Sequence, residues 1–164
     1  MDKPLKSWDT RVAISKSQED IRNLLARFGA TKVSFEDDFQ TGTQILRFEY
    51  PLKEGVFVPV NCPIKIKGII EWLKENGRPS WNQDYIFKQA KKVAWRHIFD
   101  WAKSNVNLVE FGLIPFENIF LSYFSRVLPD GQYETLGESI IPKLRSGELF
   151  KKLLPKKLDK DGGE

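Results

Sequence analysis

The spacing of apolar residues changes near Ile66, and this change constrains the fold more than any other feature of the chain. Before it, three runs of alternating apolar and polar residues predict β-strands: TKVSFED (31–37), TQILRFEY (43–50) and GVFVPVN (55–61). The turns between them are short enough for antiparallel hairpins. After Ile66 the apolar residues recur at helical spacing. The chain is therefore predicted to be α+β, with an antiparallel meander followed by a mostly helical half.

An amphipathic helix is predicted ahead of the strands, at residues 17–28. Its apolar residues recur three or four positions apart, at Ile21, Leu24, Leu25 and Phe28. Ser17 followed by Asp20 resembles a capping box, and Gly29 stands where a helix-ending glycine belongs. The stretch RVAIS (11–15) is a candidate fourth strand. The N-terminal half is therefore predicted to be a helix packed on a three- or four-stranded antiparallel meander.

Two helices are predicted directly after the strands. The segment IKGIIEWLKENG (66–77) suits a short helix closed by Gly77. A long helix then begins after a cap at Ser80 or Asn82 and ends near Gly112. These two helices form the first part of the helical half.

Short elements are predicted for the remainder of the chain. Pro115 opens another helix at a favoured first-turn position, and residues 129–131 form a turn. Residues 139–154 are predicted to form one or two short helices interrupted at Pro142. No repeat or boundary divides the sequence, so residues 1–164 are predicted to form a single α+β domain. Its ends, about 1–10 and 156–164, are expected to be flexible.

Charge and residue counts exclude several kinds of site. The formal net charge is +4, which permits a polyanionic partner without requiring one. A single cysteine, Cys62, and a single histidine, His97, preclude a disulfide or a Cys/His zinc site within one chain. No stretch approaches the roughly eighteen apolar residues of a membrane span, and the N-terminus has no apolar leader. We therefore expect a cytoplasmic protein without membrane contact.

The long helix carries basic and aromatic residues on one side. Seven apolar residues share the other side of a helical wheel and are predicted to face the core: Ile86, Phe87, Ala90, Val93, Ala94, Ile98 and Trp101. The opposite arc interleaves rings with cations: Tyr85, Lys88, Lys92, Trp95, Arg96, Phe99 and Lys103. Single-stranded nucleic acid suits such an arc, because cations contact phosphates and rings stack on bases. All of these except Tyr85 are the candidate nucleic-acid-binding residues.

A structural interpretation of the same arc is the alternative. Trp95 and Phe99 would pack under the C-terminal helices, while the lysine stems extend past them to solvent. His97 projects from the apolar side and is interpreted as a buried residue with a hydrogen-bond partner, for which Asp100 is the candidate. A catalytic base is the other interpretation of His97.

An acidic cluster raises the possibility of a nuclease. Glu36, Asp37 and Asp38, with Glu49 on the next strand and Lys53 beyond it, contain the residue types that hold Mg²⁺ for phosphodiester cleavage. The acid-x-lysine spacing of nucleases is missing, which favours solvated residues at a hairpin end. Phosphate-cradling and nucleophile motifs are also absent from the sequence. An enzymatic activity is therefore not favoured, and no catalytic residue, metal or cofactor is assigned.

Four short motifs resemble a family of small proteins encoded by bacteriophages, prophages and plasmids. They are KSQEDIRNLLARFGA (16–30), AWRHIF (94–99), LPDGQYETLGESIIPKL (128–144) and the final KKLLPKK (151–157). The chain departs from the family pattern in the lysine-rich region 64–82. The resemblance carries no assigned activity or functional residues. It implies an accessory protein of a virus or mobile element that works inside a bacterial or archaeal cell.

Three functions are considered. The first is a non-enzymatic nucleic-acid-binding accessory protein, which contacts single-stranded DNA or another nucleic acid through the basic aromatic arc of the long helix. The second is a protein-interaction module, in which the same aromatic residues anchor a host or viral protein. The third is a metal-dependent nuclease. The basic segment KKLLPKK is a candidate tether to nucleic acid or to an anionic surface.

Overall fold

The fold is α+β, as predicted, and the computed structural model describes residues 5–153. The N-terminal half consists of one helix and a three-stranded antiparallel sheet of order β1-β2-β3: α1 (Ile14–Phe28), β1 (Lys32–Asp37), β2 (Gln44–Lys53) and β3 (Val56–Ile64). Three helices follow: α2 (Lys67–Asn76), α3 (Gln83–Glu110) and α4 (Phe116–Phe120), the last leading into a 3₁₀ turn (Leu121–Tyr123). A two-stranded sheet and two short helices complete the description: β4 (Ser125–Val127), β5 (Tyr133–Thr135), α5 (Leu136–Arg145) and α6 (Glu148–Leu153).

Helix α1 begins earlier than predicted. Its N-cap is Ala13, and Ser17 is a buried residue inside the helix, so the predicted Ser17–Asp20 capping box is wrong. The helix ends as predicted, because Gly29 adopts the left-handed conformation with φ 105°. The candidate fourth strand at 11–15 is also wrong, since its last two residues belong to α1. The large sheet has three strands in the part of the chain that the structure describes.

One face of the sheet carries the core. In the antiparallel register, Val33 and Phe35 of β1 lie opposite Phe48 and Leu46 of β2. Phe48 and Leu46 in turn lie opposite Val60 and Cys62 of β3, so the predicted alternation extends across all three strands. This face packs into one buried cluster with apolar residues of α1 and α3, including Ile21, Leu25, Trp95 and Val106. The meander is therefore covered by two helices that lie against each other.

The helices α2 and α3 are capped close to the predicted positions. α2 ends at Asn76 immediately before Gly77. At the start of α3 the side chain of Asn82 accepts a hydrogen bond from the backbone N–H of Tyr85 at 2.8 Å, so Asn82 rather than Ser80 is the cap. No helix within residues 5–153 combines the length and apolarity needed to cross a bilayer.

The last described segment, residues 125–153, is here called the C-terminal arm. Its β4–β5 hairpin encloses the predicted turn at 129–131, but the two three-residue strands were not predicted. Helix α5 passes through Pro142 and ends at Arg145. The predicted interruption at Pro142 is therefore wrong: the break between α5 and α6 lies at Gly147, where φ is 74°. Most of the predicted tether at 151–157 lies outside the described residues, as do residues 1–4 and the predicted flexible end at 156–164.

Candidate nucleic-acid interface

Trp95 belongs to the core and not to the predicted binding arc. Its side chain is completely buried, and its indole N–H donates to the side-chain oxygen of Gln44 at 3.3 Å. The ring of Phe35 meets it edge-on, with 5.3 Å between the ring centroids. A base could not stack on Trp95 in this structure. The structural interpretation of Trp95 therefore holds, although the sheet covers it rather than the C-terminal helices.

Phe87 was predicted to face the core, but it is exposed. In the structure, 39% of its surface is accessible. It lies in the second turn of α3, beside the β1–β2 turn, where Gly42 approaches its ring. The helical wheel could not anticipate this exposure, because it does not indicate how far along a helix the covering elements extend.

Three of the predicted residues line a groove between α1 and α3, here called the α1–α3 groove. Its volume is about 430 Å³. Helix α3 contributes Arg96, Phe99 and Lys103, and helix α1 contributes Asp20, Asn23, Leu24 and Arg27. Arg27 was not predicted as a site residue. Its spacing from Asn23 and Asp20 placed all three on one face of α1, but only the packing of the two helices brings that face beside Arg96.

The electrostatics of the groove are predominantly positive. Three cations, Arg27, Arg96 and Lys103, line it with one carboxylate, Asp20. The Asp20 carboxylate lies 3.9 Å from the guanidinium of Arg96 but only 2.8 Å from the ammonium of Lys16. Neither Arg27 nor Lys103 has an ion-pair partner within the described part of the chain. The groove therefore retains positive charge that an anion could neutralise.

Phe99 and Arg96 form a cation–π pair in this groove. The guanidinium carbon lies 4.8 Å from the ring centroid, which is a cation–π distance. Both side chains are half-buried. A guanidinium held over a ring is planar and has an accessible face, so it can receive a nucleobase as an aromatic ring would.

The remaining predicted cations lie outside the groove. Lys88 is exposed and Lys92 is half-buried. They precede Arg96 by eight and four residues on α3, so the three share one stripe of the helix. This stripe leads from the α1–α3 groove toward the N-terminal end of α3. Of the predicted set, the structure thus brings Arg96, Phe99 and Lys103 together and leaves Lys88 and Lys92 along an approach.

His97 was predicted to be buried but is half-buried, and its hydrogen-bond partner is not the predicted one. Its Nε2 lies 2.8 Å from the backbone carbonyl oxygen of Lys6. Asp100 instead accepts a hydrogen bond from the Lys6 ammonium at 2.9 Å, and this bond lowers the pKa of the Asp100 carboxyl. The N-terminal segment is also held to α3 by Gln89, whose amide donates to the carbonyls of Trp8 and Thr10, both at 3.0 Å.

The acidic residues considered for a nuclease each have a separate partner. Glu36 pairs with Arg47, and Asp37 pairs with Lys91. Asp38 closes the β1–β2 turn by accepting from Thr41, and Glu49 accepts from Thr31; the pKa of each of these two carboxyls is lowered by that hydrogen bond. Within residues 5–153 no group of three or more His, Cys, Asp or Glu residues could hold a metal ion.

The single thiol is buried on the core face of the sheet. Burial raises the pKa of Cys62 to about 12, so the thiol stays protonated at neutral pH. A protonated, inaccessible thiol is a weak nucleophile. The geometry therefore gives Cys62 a packing role.

Comparison with known proteins gives no further assignment. No family model matches the chain, and no significant similarity is found to a curated protein or to a solved structure.

Proposed function

We propose that the protein binds single-stranded nucleic acid through the α1–α3 groove without catalysing a reaction. The observation that carries this proposal is the convergence of Arg27, Arg96 and Lys103, from two helices, around the half-buried ring of Phe99. In this function the cations contact phosphates, and a base stacks on the Phe99–Arg96 pair.

A single strand fits the groove better than a duplex. Phe99 is recessed between two helices, so only a base that has left its own stack can reach the ring. The groove also lies against the flank of α3, whereas a duplex-reading helix projects its side chains into the major groove. The stripe of Lys88, Lys92 and Arg96 would guide the phosphates of the strand along α3.

The cellular context of this proposal comes from the resemblance to phage, prophage and plasmid proteins. A non-enzymatic protein that holds single strands would serve a mobile element as an accessory factor during replication or recombination. It would act in the cytoplasm of the host cell.

Binding should be measured by fluorescence anisotropy with a labelled oligothymidylate and a labelled duplex, at about 50 and 200 mM salt. With three phosphate contacts, the logarithm of the affinity for the single strand should fall with the logarithm of salt with a slope of about −2. The variant Arg96→Gln/Lys103→Gln should lose at least tenfold in affinity at low salt. It should also have a shallower slope, because two contacts are removed.

A matched control separates the groove from general charge. Lys74→Gln/Lys143→Gln removes the same number of charges from exposed positions on α2 and α5. It should keep the affinity of the unmodified protein within about threefold. No binding at low salt, or equal losses in the two double variants, would refute the groove as a nucleic-acid site.

The stacking contact has its own test. Phe99→Leu should weaken single-strand binding by roughly 1–3 kcal/mol but leave the salt slope unchanged, since no charge is altered. Thermal unfolding of the variant gives the control for folding. An unchanged affinity in a folded Phe99→Leu protein would mean that no base stacks on Phe99 and that the groove binds through its cations alone.

A protein partner is the second candidate function, and a different surface favours it. The loop between α3 and α4 exposes two large apolar side chains, with 76% of Phe111 and 68% of Leu113 accessible. Neighbouring exposed apolar anchors are typical of protein-binding sites. A discrete complex in chemical crosslinking that disappears in Phe111→Ser/Leu113→Ser, together with no oligonucleotide binding, would favour this function over the first.

A further inference from the structure

A second recess lies near the N-terminal end of α3, between the β1–β2 turn and the start of α2. It is here called the turn cleft, and its volume is about 540 Å³. Its lining residues include Thr41 and Thr43 from the turn, Lys65 from the β3–α2 connection, Lys67 and Ile70 from α2, and Phe87 from α3. The size falls in the range of sites for small organic ligands and is far larger than a lone phosphate needs.

One aromatic ring lines this site, and a second stands beside it. Phe87 forms one wall, and Phe39 stands at the tip of the β1–β2 turn with 88% of its surface exposed. The Lys91 ammonium lies 4.7 Å from the centroid of the Phe87 ring and 5.8 Å from that of Phe39. Because one ammonium contacts both rings, they face the same small region of the surface.

The turn that carries Phe39 is held by its own hydrogen bonds. The Asp38 carboxylate accepts from the backbone N–H of Gln40 at 2.9 Å and from the hydroxyl of Thr41 at 2.7 Å. The backbone N–H of Gly42 donates to the carbonyl of Asp38 at 2.8 Å. The exposed ring therefore projects from an ordered turn, which lowers the entropy cost of stacking a ligand on it.

The charge at the cleft is positive. Lys65 and Lys67 are exposed at its edge, and none of the described residues that line it is acidic. The nearest carboxylate to Lys67 is Glu71, at 3.9 Å, and both side chains are largely exposed, so this pair is weak. The Asp37 carboxylate is taken by Lys91, and that of Asp38 by the turn itself. An anionic group would meet Lys65, which has no ion-pair partner among the described residues, and the weakly paired Lys67.

We propose that the turn cleft binds a nucleotide, with its base against Phe87 and Phe39 and its phosphate at Lys65 and Lys67. A flat apolar group joined to an anionic group is the ligand chemistry that matches rings on one wall and lysines on another. The nucleotide can be free or one unit of a strand, since both present the same chemistry. The inference rests on this cleft alone and does not require the α1–α3 groove.

The direct test is isothermal titration of the full chain with AMP, with ATP and with inorganic tripolyphosphate. We expect ATP to bind at least fivefold more tightly than tripolyphosphate, because only ATP offers a base to the rings. Phe39→Ala and Phe87→Ala should each remove most of that difference. Lys65→Gln/Lys67→Gln should weaken both ligands at least fivefold.

Two controls keep the test informative. Phe39 is so exposed that Phe39→Ala should leave the fold intact even where Phe87→Ala does not, which thermal unfolding verifies. The groove variant Arg96→Gln/Lys103→Gln should bind ATP like the unmodified protein, so failure of the groove and failure of the cleft are distinguishable.

Binding of the oligothymidylate to the same ring variants distinguishes a free nucleotide from one unit of a strand. ATP binding that the ring variants abolish shows a site for free nucleotides. A ring-dependent loss of oligonucleotide affinity without ATP binding shows a site for one unit of a strand. If neither affinity changes in the ring variants, or if tripolyphosphate binds as tightly as ATP, the nucleotide proposal is wrong.

Discussion

The body of the molecule, residues 14–120, and the C-terminal arm differ in where they place their apolar residues. In the body, Ile21, Leu46, Trp95 and Val106 are fully buried between the sheet and its two covering helices. In the arm, Leu136, Ile140, Ile141 and Leu144 of α5 remain 37–41% exposed. Since burial of apolar surface is the main favourable term in folding, the body supplies most of the stability.

The arm is held instead by a few local contacts. Phe124, immediately before β4, forms a backbone bridge with Val60 of β3. Tyr133 of β5 lies under the guanidinium of Arg47, with 4.0 Å from the guanidinium carbon to the ring centroid. Within residues 125–149 the two buried positions are Thr135 and Gly137, both where α5 begins. The arm is therefore docked at its base and exposed along its length, which makes it a candidate for opening without global unfolding.

Both proposed binding sites lie on the body. The α1–α3 groove and the turn cleft share α3 as their common wall. Changes that loosen the arm should therefore leave oligonucleotide and nucleotide affinities unaltered, whereas changes that disrupt the core of the body should disturb both.

The largest effect is expected for Trp95→Ala in the body. The substitution removes a fully buried ring and leaves the Gln44 side-chain oxygen without its indole donor. We expect the free energy of unfolding to fall by about 3–5 kcal/mol, as is typical when a large buried side chain is truncated. Urea unfolding followed by circular dichroism measures this change.

Phe39→Ala provides the contrast for Trp95→Ala, because it truncates a ring of the same body that is almost fully exposed. It should change the free energy of unfolding by no more than about 0.5 kcal/mol. Similar losses in the two variants would mean that Trp95 is not the centre of a close-packed core.

A smaller, local effect is expected for Gly137→Ala in the arm. A Cβ at this position would lie 2.8 Å from the backbone carbonyl oxygen of Ser122, so the base of α5 must shift. Overpacking of this kind costs about 1–3 kcal/mol. Hydrogen exchange should accelerate in α5 while protection in α3 is retained.

Gly68→Ala is the matched control for that substitution. A Cβ at Gly68, in the first turn of α2, meets nothing within 4 Å. The same chemical change should therefore be neutral or stabilise the protein by up to about 1 kcal/mol. If Gly137→Ala accelerates exchange equally in α3 and α5, the arm and the body unfold as one unit.

The same division explains which parts of the fold could be predicted. Period-2 and period-3.6 patterns arise where one side of an element is buried, so α1, the meander, α2 and α3 were predicted. The β4–β5 strands have three residues each, too few for alternation to be recognised. Pro142 suggested a break, but α5 loses only one internal hydrogen bond there and continues to Arg145.

The sites show a second limit of sequence patterns. Trp95 and Phe99 share an arc of α3, yet the sheet edge covers one and the α1–α3 groove exposes the other. A helical wheel sorts side chains by their angle around one helix. It does not show where along that helix the neighbouring elements begin and end. Arg27 became part of the groove for the same reason, since its position beside Lys103 depends on how α1 and α3 pack.

Apart from the control variants, the smallest effect is expected for Thr135→Ala, which acts at the first residue that the arm buries. The Thr135 hydroxyl accepts from the backbone N–H of Glu138 at 3.1 Å, and the Glu138 carboxylate accepts from the backbone N–H of Thr135 at 2.8 Å. Without the Thr135 hydroxyl, the stability of α5 should fall by about 1 kcal/mol.

Hydrogen exchange and urea unfolding together show whether the arm opens separately from the body. If α5 opens by itself, the loss appears as faster exchange of the α5 amides, and the urea midpoint of the body stays the same. Ser80→Ala, in the exposed loop before α3, should change neither quantity. A free energy of unfolding, measured by urea, that falls by the full ~1 kcal/mol would instead mean that the cap is broken only when the body unfolds. The exposed face of α5 would then belong to one cooperative unit with α3, despite its shallow burial.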